Sequence, residues 1–164
     1  METVLILDFG AQYSQLIARR VREQNVYCEV KPCSISPDEI RELAPIGIIL
    51  SGGPQSVYES VSLHVDPALF SLGIPVLGIC YGCQLMAYSL GGTVAAATEA
   101  TAREYGKTLT EFDTQSAIFH GLPASSVTWM SHGDYISQVP DGFTVTAKTA
   151  VCPTAAMACP EKKL

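Results

Sequence analysis

The pentapeptide Gly78-Ile79-Cys80-Tyr81-Gly82 sets a thiol between two glycines, and Cys83 follows three positions after the first cysteine. Three chemistries use a cysteine in such a setting. As a nucleophile, Cys80 would sit between the strand-like "PVLGI" (75–79) and a helix opening at Tyr81, the cysteine counterpart of the G-x-S-x-G elbow. The glycines remove side chains where strand and helix must approach closely. A helix N-terminus favours thiolate over thiol, and the N–H of Tyr81 faces the same spot as an oxyanion donor. As a redox pair, Cys80-x-x-Cys83 at a helix start also fits thiol–disulfide exchange, although thioredoxin-like motifs follow an early strand and this one follows the fourth. As a zinc site it needs two further ligands, and Cys152 and Cys159 lie seven apart rather than three or four, so no metal is expected. The plain alternative is a small buried residue, a common use of cysteine.

Two other segments carry chemistry. "SGGP" (51–54) offers backbone N–H groups without side-chain cover, which suits a developing anion as well as a structural turn. His132, in "SHGD" (131–134), has Asp134 as an orienting acid and pairs with Cys80 on paper as a general base. His64 and His120 stand in polar, loop-like surroundings and read as surface residues. "DFG" (8–10) matches a kinase tripeptide, but no kinase Gly-rich loop or H-R-D accompanies it.

These residues need elements to hold them. "TVLILD" (3–8) is a continuous apolar run, as a parallel strand covered on both faces requires. Tyr13, Leu16, Ile17 and Val21 then recur at helical spacing. "VYCEV" (26–30) is the next strand. "SPDEIRELA" (36–44) is a helix with Ser36 as N-cap, Pro37 at its first position and acids in its first turn. "GIIL" (47–50) is a third strand, 66–73 a short helix, 75–79 the fourth strand and 81–92 a helix ending on a glycine pair. This alternation predicts an α/β fold, a doubly wound and mostly parallel sheet with helices on both faces. Sites in such sheets form at the carboxyl ends of strands, where "SGGP" and "GIC" both lie. The second half differs. Residues 107–112, 126–131, 143–149 and 154–159 look like half-exposed strands of a smaller antiparallel section, joined by Gly, Pro and Asp turns. "AAATEATARE" (95–104) is rich in small residues and too short for a linker. After 159 the turn-like "PEKK" suggests the start of a hairpin whose second arm is absent.

Composition bounds the answer. The chain has 164 residues, 48% hydrophobic and 16% charged, and a chain of this length buries roughly 68–70% of its unfolded surface. A net charge of −6 argues against nucleic-acid or acidic-membrane partners, and the arginines of "ARRVRE" (18–23) read as a solvated helix face. No apolar run approaches the ~20 residues of a membrane span, and Met1 leads into a strand rather than a signal peptide. Six cysteines are too few for a disulfide scaffold, so reduced thiols in the cytoplasm are expected.

Taken together, "LDFGAQYSQLIARRVRE" (7–23), "SGGPQSVY" (51–58), "GICYGCQ" (78–84) and "WMSHGD" (129–134) resemble the signatures of the class I glutamine amidotransferases, in order and interval. The first and last segments are similar to the branch serving an ATP-dependent nucleotide synthetase. The anthranilate synthase and carbamoyl phosphate synthetase branches share the elbow but not these segments. The resemblance covers essentially all of residues 1–164. It implies that Cys80 attacks the side-chain amide of glutamine, with the N–H groups of Gly53 and Tyr81 receiving the oxyanion. It also implies that Gly52, Gln84, Ser131, His132, Gly133 and Asp134 hold the substrate. No cofactor is implied for this domain; ATP and Mg²⁺ belong to a synthetase domain, fused or separate, that is the implied partner beside glutamine.

Two features depart from the family pattern. Position 83 is commonly methionine in the resembled branch, so Cys83 is an unusual packing choice. The family's base and its partner come from a His-Pro-Glu segment soon after the region like "ACPEKKL", and residues 1–164 contain no His-Pro-Glu. The domain is therefore expected to be incomplete at its C-terminal side, with a nucleophile and oxyanion donors but no family-type base. A non-catalytic module that binds glutamine or docks on a synthetase is the rival expectation.

Overall fold

The computed structural model describes residues 2–97 and 104–164. The chain divides into two compact units, Met1–Ser89 with Pro160–Leu164, and Leu90–Cys159.

In the first unit β1 (Thr3–Asp8), α1 (Ser14–Glu23), β2 (Tyr27–Pro32), α2 (Pro37–Leu43), β3 (Gly47–Leu50), β4 (Val76–Gly78) and α3 (Tyr81–Ser89) follow in order. The sheet order is β2-β1-β3-β4, all parallel, with the switch of direction between β1 and β3. The continuous apolar runs explain the strands: Leu5, Ile6, Leu7, Ile48 and Leu50 are all at most 1% exposed. Burying one such side chain contributes about 1.5–3 kcal/mol. Ile6, Ala18 and Cys28 form a buried cluster against which Ile17, Val21 and Val30 pack, so the helical spacing of α1 serves the sheet. Right-handed crossovers then put α1 on one face and α2 on the other. The predicted cap of α2 is present in full. Ser36 Oγ accepts from the Glu39 N–H, and the Glu39 carboxylate accepts from the Ser36 N–H.

Two boundaries differ from expectation. The helix expected over 66–73 is a 3₁₀ turn, Pro67–Ser71, started by Asp66, whose side chain accepts from the Ala68 N–H. The helix expected to reach 92 stops at Ser89, because Gly91 takes φ +93 and Thr93–Ala96 is a strand.

The second unit is antiparallel. It contains β5 (Thr93–Ala96), β6 (Glu104–Phe112), β7 (Ser125–His132), β8 (Asp134–Gln138), β9 (Thr144–Lys148) and β10 (Ala156–Ala158). One sheet runs β10-β9-β6-β7 and a second pairs β5 with β8. The expected strands are present; β5 and β8 are additional to them. β5 is only four residues and ends on two alanines, which have little strand preference, and residues 98–103 of the small-residue stretch lie outside the described residues. On the β6–β7 ribbon, the Thr110 and Thr128 hydroxyls are 2.7 Å apart, and Thr110 is buried. Lys107 and Leu109 face Trp129 and Val127 in register, and Trp129 is 75% exposed with the Lys107 ammonium 5.9 Å from its ring.

The hairpin expected after residue 159 is not formed. Pro160–Lys162 is a 3₁₀ turn belonging to the first unit, and the Lys163 carbonyl accepts from the Val76 N–H at 2.9 Å. Lys163 Nζ also donates to the Gly73 carbonyl at 3.1 Å. The last residues therefore lie along the edge of β4, the strand that leads to Cys80. No helix among the described residues is long and apolar enough to cross a membrane.

Candidate functional site

Cys80 lies in the short step between β4 and α3 and takes φ +53, one of four non-glycine residues with positive φ among those described. A side chain in the left-handed region is held there only when its surroundings over-determine it, which is the mark of an elbow. The two flanking glycines explain how. A Cβ on Gly78 would lie 2.6 Å from the Cys83 nitrogen and 2.7 Å from its Cα. A Cβ on Gly82 would lie 2.5 Å from the Leu50 carbonyl oxygen. Helix α3 thus begins pressed onto its own strand and onto the end of β3, and no other residue type fits at either glycine without backbone movement.

The carboxyl ends of β1, β3 and β4 meet around this turn. The Ile79 N–H donates to the Leu50 carbonyl and the Gly82 N–H to the Ser51 carbonyl. A Cβ on Gly52 would stand 3.6 Å from the Cys80 Cβ, so the "SGGP" turn lies directly beside the sulfur-bearing residue. A Cβ on Gly53 would meet Phe9 and the Tyr81 ring at 3.1–3.3 Å. Tyr81 is 3% exposed; its ring packs 5.4 Å from that of Phe9 and its hydroxyl donates to the Leu63 carbonyl. Gln55 closes the same loop, accepting from the Leu63 N–H and donating to the Val61 carbonyl. Among the described residues, neither the Gly53 N–H nor the Tyr81 N–H has a hydrogen-bond acceptor.

Electrostatics run against one expectation. Cys80 is exposed, yet the packing beneath it desolvates the sulfur, and burial pushes its thiol above the ordinary range. The position before a helix does not lower the thiol below its ordinary range. Among the other cysteines, Cys28, Cys33, Cys152 and Cys159 are buried and Cys83 is half-buried; all six are free. Cys28 donates to the Ala18 carbonyl and Cys152 to the Thr154 carbonyl, each at 3.4 Å, as core residues do. Among the described residues no three His, Cys, Asp or Glu side chains stand where they could hold a metal ion.

The anticipated site residues fall into two groups. Gly52, Gly53, Cys80, Tyr81 and Gln84 are in the first unit, with Gln84 in the first turn of α3 and its N–H donating to the Cys80 carbonyl at 3.1 Å. Ser131, His132, Gly133 and Asp134 are in the second unit. There the expected loop proves to be a junction: Ser131 and His132 end β7, Asp134 opens β8, and the Gly133 carbonyl accepts from the Ala97 N–H at 2.8 Å. Sequence reasoning passes over Ser51 and Phe9. Ser51 is visible there only as one letter of a glycine-rich turn, and Phe9, the partner of its hydroxyl, is 42 residues away.

An exposed cysteine in a strained strand–helix turn, beside a glycine pair at the end of a neighbouring parallel strand, gives this α/β protein an elbow-borne thiol. The chain belongs to the class-I glutamine amidotransferase family, whose model matches residues 5–164. It is 55% identical over 163 residues to the glutamine-hydrolysing GMP synthase of Clostridium botulinum strain Alaska E43, covering 99% of this chain and 31% of that protein. It is 54% identical over 161 residues to the corresponding protein of Bacillus pumilus, again 31% of its length. The chain thus spans about a third of the curated relatives it matches. Among solved structures, a provisionally assigned GMP synthase subunit of Thermoplasma acidophilum superposes with TM-score 0.86 at 29% identity, over 99% of this chain and 80% of that one. A glutamine amidotransferase of Thermotoga maritima shares the fold at TM-score 0.72 and 22% identity, over 96% of this chain and 71% of that one.

Proposed function

We propose that this chain is the glutamine-hydrolysing part of a GMP synthase. The observation that carries the reading is Cys80 itself, exposed at φ +53 with Gly52 packed beside it and the unpaired N–H groups of Gly53 and Tyr81 flanking the turn. In this reading the Cys80 thiolate attacks the side-chain carbonyl carbon of glutamine. The carbonyl oxygen takes the negative charge and is held by the Gly53 and Tyr81 N–H groups. The C–N bond breaks, ammonia leaves with an added proton, and a glutamyl thioester remains on Cys80. Water then cleaves the thioester to glutamate and restores the thiol. Gly52 and Gln84, in the same unit as Cys80, hold the glutamine. The ammonia serves an ATP- and Mg²⁺-dependent synthetase domain, fused or separate, that converts XMP to GMP in purine biosynthesis. Six free thiols fit a cytoplasmic setting.

Burial raises the Cys80 thiol, and residues 1–164 contain no His-Pro-Glu. The reading is tested with a chloromethyl ketone analogue of glutamine, which alkylates a thiol after binding as substrate. Peptide mapping is expected to find the label on Cys80 alone, with excess glutamine slowing the reaction. Labelling unaffected by glutamine, or spread over Cys83, rejects the glutaminase site. Labelling with glutamine protection but no glutamate release, even when a His-Pro-Glu-bearing form is assayed, favours the non-catalytic binding module.

A further inference from the structure

We propose that Ser51 is a positioning residue that orients the oxyanion-binding turn, an inference that rests on the glutaminase reading above. Ser51 is 0% exposed, and it touches all three strand ends that build the site. Its hydroxyl accepts from the Phe9 N–H at 3.1 Å and donates to the Gly52 carbonyl at 3.0 Å. Its backbone N–H donates to the Leu7 carbonyl, and its carbonyl accepts from the Gly82 N–H at 3.1 Å. One residue therefore ties the end of β1, the Gly52–Gly53 peptide after β3 and the first turn of α3 after the elbow.

The bond to the Gly52 carbonyl matters most. Gly52 and Gly53 share one rigid peptide plane: the Gly52 carbonyl and the Gly53 N–H are its two ends and point in opposite directions. Holding the carbonyl toward Ser51 Oγ fixes the direction in which the Gly53 N–H is aimed. Two glycines in sequence have little rotational restraint of their own, so an external clamp is needed to keep that donor preorganised. A hydroxyl suits the position because it donates to one carbonyl while accepting from one N–H, and a buried site has no water to replace either bond. Ser51 does not touch the substrate in this arrangement; it acts through the Gly53 N–H.

The test separates orientation of an oxyanion donor from general damage to the elbow. Cys80 in the 164-residue chain is alkylated by iodoacetamide, a displacement at carbon that develops no oxyanion, and separately by the chloromethyl ketone analogue of glutamine, whose carbonyl oxygen gains charge as the sulfur adds. Ser51→Ala is expected to slow the ketone reaction about tenfold or more while changing the iodoacetamide rate less than about twofold. Ser51→Thr, which keeps the hydroxyl, stays closer to the parent in the ketone reaction. If Ser51→Ala does not fold, Ser51→Cys keeps the shape with a much weaker donor and acceptor and is expected to give the same split. Equal ketone rates in parent and variant overturn the proposal, as does a parallel fall in both reactions. A parent chain whose ketone labelling glutamine does not slow removes the glutaminase reading itself.

Discussion

Cys80 joins accessibility to a thiol that burial raises above its ordinary range. Desolvation disfavours the thiolate in the folded chain, so the folded pKa lies above the unfolded one. The stability this contributes is fully present below the unfolded thiol value, about 8.5, and is lost as pH rises through the folded value. Cys33 behaves alike, raised first by burial and further by the nearby Asp8 carboxylate, and burial also raises the Tyr81 phenol. The fold is therefore expected to weaken in the alkaline range, with thermal unfolding temperatures falling above about pH 8.5 and not between about 6 and 8. Iodoacetamide should still reach Cys80 first, because four of its competitors are buried, but its rate should climb with pH beyond the midpoint of an unfolded control. A midpoint below that control would show that the helix end outweighs desolvation. Replacing Cys83 by Met is expected to cost less than about 1.5 kcal/mol and to leave labelling of Cys80 unchanged, since one soft group replaces another. Disulfide-exchange activity that vanished with this change would restore the redox reading.

At the scale of elements, the elbow discriminates among glycines that look alike in sequence. Gly82→Ala drives a methyl to within 2.5 Å of backbone oxygen and is expected to destabilise by about 1–3 kcal/mol or more, read from chemical denaturation. Gly52→Ala meets only ordinary contacts at 3.6 Å or more, so stability should be nearly unchanged while ketone labelling of Cys80 falls. Similar losses of stability in both variants would mean that Gly52 is a packing residue. Ser36→Ala, which opens the capping box of α2, should cost about 1 kcal/mol without touching Cys80 chemistry. The strands of the parallel sheet and the start of α2 are legible in the sequence because apolar runs and capping residues are local signals. The Gly78 and Gly82 contacts are legible as a pattern; Gly78 meets Cys83 five residues on, whereas the approach of Gly82 to Leu50 is tertiary and no local window contains it. The tilt of the thiol toward protonation escapes the sequence for the same reason: a helix end is visible there, whereas the packing that strips water from the sulfur is not.

For the whole molecule, the expectation of an α/β sheet followed by an antiparallel section holds, while the division into Met1–Ser89 with Pro160–Leu164 and Leu90–Cys159 is news from the structure. A chain that leaves a unit and returns to it for its last five residues carries no compositional mark; the return is made by backbone bonds such as Val76 to Lys163. β5 and β8 escape sequence reading because strands this short draw their definition from a partner across the sheet. Functionally, the 164-residue chain is expected to release glutamate from glutamine at a rate lower by at least about 10²–10⁴-fold than a form that carries the His-Pro-Glu segment, the usual span of general acid–base catalysis. Side-by-side glutaminase assays with Cys80→Ala as control decide this; equal rates would point to a base within residues 1–164, with His132 the first position to change.

Trp129 is the chain's one tryptophan, and it stands three-quarters in water on the β6–β7 ribbon. Indole emission is therefore already solvent-like in the native protein and originates wholly in the second unit. Intrinsic fluorescence thus reports on the second unit, whereas five of the seven tyrosines, Tyr13, Tyr27, Tyr58, Tyr81 and Tyr88, lie in the first, so tyrosine absorbance is weighted toward the half that bears the thiol.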